Sequence, residues 1–154
     1  MRTALVLVFL GACLGCNSGA TRWIGEARGA HAEADALERS GDLGRAADLL
    51  QELVSRPVPT GVAPQDARAV LQDTYARLAN LGLKRGKPID ALQSADAGLQ
   101  LGEAQDVFAS SLRAFRGRAL EALGRDAEAA REYEAAQVIA EALLSEALVD
   151  GGVR

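Results

Sequence analysis

Two thiols three residues apart, Cys13 and Cys16, and one imidazole, His31, are the only cysteine and histidine side chains in the chain of 154 residues. Nucleophilic or metal chemistry therefore has few places to begin. A zinc site needs several Cys, His or carboxylate ligands at matched spacing, and no such spacing occurs. A Ser, His and Asp triad would have only His31 to build on. No glycine-rich run of the kind that cradles phosphate is present. The carboxylates Glu128, Glu132 and Glu134 fall at helical spacing with Arg125 and Arg131, the pattern of a solvated helix face. These residues predict neither an enzyme nor a metal or cofactor site. What remains is the chemistry of the two sulfurs, which can be acylated. The second reading is a plain secretory signal with both cysteines as filler of its apolar run, and a structural disulfide across three residues there is poorer still.

The surroundings of the thiols favour acylation. Met1-Arg2-Thr3 gives a short basic start, and Ala4 to Leu14 is an uncharged apolar run of 11 residues, about half of the roughly 20 a spanning helix needs. This is the layout of a signal peptide. The run ends in Leu10-Gly11-Ala12-Cys13 and Leu14-Gly15-Cys16-Asn17, which resembles the lipobox of bacterial lipoproteins. The resemblance implies a lipid on the first cysteine of the mature chain and no other cofactor. Cys16 gives the more usual signal length, dividing the chain into a signal peptide at 1–15 and a lipidated tether at 16–22; Cys13 has the better preceding residues and is the alternative. Acyl chains contribute about 0.8 kcal/mol per buried methylene, so two or three make attachment effectively permanent. Asn17 or Leu14, rather than Asp, follows the cysteine, and in such lipoproteins this implies the outer membrane, facing the periplasm.

Beyond the tether, residues 23–150 carry the periodicity of helices. Hydrophobic residues make up 49% but aromatic ones only 4%, so the core must be closed by Ala, Leu and Val, as suits closely packed helices. The net charge of -4, without a basic run, argues against nucleic acid as a partner. Three segments align: 34–54, 79–99 and 117–137. Each has a small residue (Ala34, Ala79, Gly117), a glycine seven on (Gly41, Gly86, Gly124), an alanine five further (Ala46, Ala91, Ala129), and then Leu50, Ala95 or Tyr133. A glycine just past a helix end supplies the left-handed conformation that closes the helix. Asp42, Asp90 and Asp126 suit the starts of the second helices, and Pro88 suits a first helical position.

With these marks the chain resembles the tetratricopeptide repeat family, whose unit is about 34 residues of helix, turn and helix. The resemblance implies an all-α fold of three TPR-like hairpins stacked as a short right-handed solenoid, with units at about 27–60, 72–105 and 110–143. The glycines are spaced by 45 and 38 residues, so the units carry insertions. Arg56 to Pro64, with three of the four prolines, is the first.

In that family the first helix of each unit lines a concave groove. The resemblance places Arg28, His31, Asp35 and Glu38, then Asp73, Asn80 and Lys84, then Ser111, Arg118 and Glu121 on this groove. Where a subset of the family clamps a terminal carboxylate, His31, Asp35 and Phe115 depart from its pattern. Trp23 reads as a cap on the first helix or as a membrane-proximal residue. The last helix lacks a stop near Glu141 and should run from about Asp126 to Val149, carrying Ile139 and Leu143 on one line and Leu144 and Leu148 on the next. These form a partner-binding face, or a cap folded back on the third unit.

The expected function is a non-catalytic scaffold or assembly accessory for an envelope complex of secretion, pilus or motility type. Its partners would be other envelope proteins or a second copy. The alternative is a lipoprotein that binds a small ligand or peptidoglycan fragment for a transporter or enzyme. That reading needs an aromatic-lined pocket, hard to build from three Phe, two Tyr and one Trp.

Overall fold

The computed structural model describes residues 17–102 and 105–151. The signal-like run and both cysteines lie outside the described residues. Six helices and no strands are found among the described residues: α1 (Asn17–Arg39), α2 (Leu43–Ser55), α3 (Pro64–Lys84), α4 (Pro88–Gln100), α5 (Val107–Ala122) and α6 (Asp126–Gly151). They form three hairpins, α1–α2, α3–α4 and α5–α6.

Each hairpin turns in the same way. Gly41, Gly86 and Gly124 have φ of 85°, 69° and 73°. Behind each glycine the next residue's N–H reaches back to the helix: Asp42 to Leu37 at 2.9 Å, Lys87 to Gly82 at 2.8 Å and Arg125 to Leu120 at 2.9 Å. The glycine N–H closes a second bond, as from Gly41 to Glu38 at 3.0 Å. Two otherwise orphaned carbonyls are thus satisfied at each helix end, and only a residue tolerant of positive φ allows it. Nothing lies within 4 Å of a Cβ built at any of the three, so a side chain there meets conformational strain and no clash. Gly→Val at each position should cost about 1–2 kcal/mol, read as a shift in the thermal midpoint; unchanged midpoints at all three would contradict the turn assignment.

The helices α2 to α5 start as their sequences dictate. The Asp42 carboxylate accepts from Arg45 N at 3.2 Å, while Pro88 and Pro64 occupy early positions of α4 and α3 where no N–H is missed. Asp106 caps α5 by accepting from Phe108 N and Ala109 N at 3.0 and 2.9 Å.

Every helix packs on its neighbour in sequence. In addition α3 touches α1 and α5, whereas α2 and α4, or α4 and α6, make no contact. Small residues bring the helices close. A Cβ on Gly82 would lie 2.9 Å from the backbone nitrogen of Ala91, and one on Gly117 would lie 2.7 Å from the Tyr133 ring. Leu50, Leu81, Leu112 and Leu120 are fully buried, each stabilising the fold by about 1.5–3 kcal/mol.

Several boundaries differ from the sequence reading. The residues after Cys16, read as a tether, already belong to α1. Helix α1 buries Ala20, Trp23, Ala27 and Ala34, a three- and four-residue spacing that carries the helix back to Asn17. Trp23 is 4% exposed and is a core residue inside α1 rather than a cap at its end. The second hairpin runs from Pro64 to Gln100, earlier than 72–105, because Pro64 starts a helix directly after the proline-rich loop. Helix α6 has 26 residues against 13 in α2 and α4. Ile139, read as part of a partner-binding face or of a cap on the third unit, is 7% exposed, whereas Leu144 and Leu148 are exposed. The reason is register: Ala129, Glu132, Ala136 and Ile139 form the stripe that faces the fold, and it runs out level with Val107, the first residue of α5.

Candidate functional site

Because α3 lies between α1 and α5, these three helices share one side of the molecule, and two adjoining cavities open there. One, of about 210 Å³, lies among Ile24, Arg28 and His31 of α1, Val70 and Asp73 of α3, and Phe108 of α5. The other, of about 290 Å³, lies among Asp73, Arg77 and Asn80 of α3 and Val107, Phe108 and Phe115 of α5. Asp73 and Phe108 belong to both, so the two form one trough across three helices.

Its polar side is a network between α1 and α3. Thr74 donates its hydroxyl proton to the Val70 carbonyl at 2.7 Å, so the His31 Nε2–H must donate to Thr74 Oγ1, 2.8 Å away. The other ring nitrogen, Nδ1, faces Asp73 Oδ2 at 3.2 Å. Arg77 bridges Asp73 at 3.2 Å and Asp35 at 2.6 Å, and Lys84 pairs with Glu38. Burial alone would raise the Asp73 carboxyl, but the His31 hydrogen bond and the Arg77 charge outweigh it and hold Asp73 below the usual range. The pairs are partly solvated, so each contributes less than about 1 kcal/mol. Their effect is positional, since α1 and α3 have little other contact.

The residues expected on the groove therefore divide. Arg28, His31, Asp73, Asn80 and Ser111 line the trough. Among the described residues Arg28 and Asn80 have no side-chain partner, which leaves a guanidinium and an amide free to meet a ligand. Asp35, Glu38 and Lys84 are spent on pairs between α1 and α3. Arg118 and Glu121 do not line it: Glu121 accepts from the Tyr133 hydroxyl at 2.7 Å and so turns toward α6. Burial and that carboxylate push the Tyr133 phenol up to about 12, keeping it neutral. Sequence reasoning missed Ile24, Val70, Thr74, Arg77 and Phe108. The available signals were the four-residue step from Asp73 to Arg77 and the seven-residue step from Phe108 to Phe115.

Elsewhere a cavity of about 370 Å³ between α2 and α4 is lined by Asp48, Gln51, Arg85 and Gln93, polar and without aromatic walls apart from Tyr75. Among the described residues no three His, Cys, Asp or Glu side chains cluster as a metal site, and no helix is long and apolar enough to cross a membrane. No protein-family model matches the chain, and no curated protein matches it either.

Proposed function

We propose that the chain is a lipid-anchored, non-catalytic scaffold of the bacterial cell envelope that holds a segment of another protein in the trough between α1, α3 and α5. The observation that carries this reading is the trough itself, with Phe108 and Phe115 on one wall and the unpartnered Arg28 and Asn80 opposite. The contact pattern supports a TPR-like solenoid, with first helices touching through α3 and second helices held apart. An open trough of joined shallow cavities suits an extended or helical polypeptide better than an enclosed metabolite. The anchor rests on the lipobox around Cys13 and Cys16, and the setting would be an assembly of secretion, pilus or motility type at the outer membrane.

Two measurements test the two halves. In fractionated cells, Cys16→Ser should release the full chain from the membrane while Cys13→Ser leaves it bound. The reverse would move the acyl site to Cys13, and release by neither would refute the anchor. Purified from solubilised envelopes, the chain should bring stoichiometric protein partners; a bound metabolite without any protein would refute the scaffold.

A further inference from the structure

The far end of α6 projects past the rest of the fold. Near the start of α5, Ser110 Oγ donates to the Ala136 carbonyl at 3.0 Å, and α5 begins at Val107. In this hairpin α5 therefore ends level with Ile139 or Ala140, and the later turns of α6 have no α5 beside them. There Leu144 is 61% and Leu148 68% exposed.

At about 100° per residue, Leu143, Ala147, Ala140, Leu144 and Leu148 occupy a continuous apolar arc of about 140°. Glu141 borders one edge and Glu146 the other. Glu141 takes a hydrogen bond from Gln137, and Glu146 has no partner among the described residues. From Glu132 through Val153 the sequence holds no Lys or Arg, so no cation of this segment neutralises them.

We propose that the projecting end of α6 docks a short amphipathic helix of another protein whose apolar face is bordered by Lys or Arg. In helix pairs the residues beside the apolar seam decide the partner. Two copies of α6 would set Glu141 and Glu146 against carboxylates in either direction, which opposes self-pairing. A basic helix meets both edges with opposite charge while covering Leu144 and Leu148. The surface is separate from the trough on α1, α3 and α5, so either can fail without the other.

The test uses the full chain and two labelled 14-residue helical peptides. One has a Leu and Ala face bordered by Lys; the other has Glu in place of each Lys. The Lys peptide should bind saturably and at least tenfold more tightly than the Glu peptide in fluorescence anisotropy. Glu141→Lys with Glu146→Lys should reverse that order. Leu144→Asp with Leu148→Asp adds negative charge yet should weaken the Lys peptide at least tenfold, with an unchanged thermal midpoint because both leucines are exposed. Equal binding of the two peptides, binding of neither, or an order that the lysine variant leaves unchanged would overturn the proposal. So would a dimer in sedimentation that the leucine variant dissociates, since a second copy would then be the occupant.

Discussion

Replacing Gly82 by Val should destabilise the protein by about 3 kcal/mol, the upper end of what overpacking costs, and lower the thermal midpoint by about 10 °C. The Cβ would sit 2.9 Å from the Ala91 nitrogen and 3.1 Å from its Cα. Backbone cannot move aside as a flexible side-chain end can, so α3 and α4 must separate. The sign with alanine is equally diagnostic. In an unobstructed helix Gly→Ala stabilises by about 0.5–1 kcal/mol, and Gly29, exposed in α1 with nothing within 4 Å, should behave so. Gly82→Ala should instead destabilise. Stabilisation at both positions, measured by chemical denaturation, would contradict the close packing of α3 on α4.

Leu112→Ala should cost about 3 kcal/mol, since Leu112 is fully buried and loses both transfer free energy and packing contacts. Its partner across the α4–α5 contact is Gly98, where a Cβ would come within 2.7 Å of Leu112 Cδ2 and 3.0 Å of Tyr75 Cβ. Gly98→Ala should therefore be costly alone and much cheaper in the Leu112→Ala background, where most of the obstruction is gone. A double-mutant cycle by urea denaturation should give a coupling of at least about 1 kcal/mol. Strict additivity would mean that α4 and α5 do not meet at this point.

These contacts also show where the sequence was legible. The turns at Gly41, Gly86 and Gly124 were readable because a left-handed helix end leaves a local mark, a glycine followed by a helix-starting residue. The length of α6 was readable because neither Gly nor Pro interrupts it. The close approaches at Gly82 and Gly98 were not, because a glycine inside a helix carries no sign of what lies opposite. Nor was the start of α1, where Asn17 to Thr21 is too polar to announce a helix and Ala20 and Trp23 alone carry its buried side. Whether Ile139 was free or covered stayed open because the apolar residues of α6 lie on adjoining lines and only contact with α5 decides which line is covered. At the candidate site the family resemblance named Arg28, His31, Asp73 and Asn80, all on the trough. It could not reveal that Asp35, Glu38 and Lys84 would be spent on pairs between α1 and α3, because spacing within one helix does not say which residues of another it meets.

Whether the trough holds another protein can be read by photo-crosslinking in cells that express the full chain from its native locus. A photoreactive amino acid at Val107, on the rim of the trough and 60% exposed, is compared with one at Ile89, outside the trough and 59% exposed. Equal exposure removes accessibility as an explanation for any difference. Discrete protein adducts at Val107 and none at Ile89 are the expected result; no protein adduct at Val107, or the same adducts at both positions, would contradict a protein-binding trough.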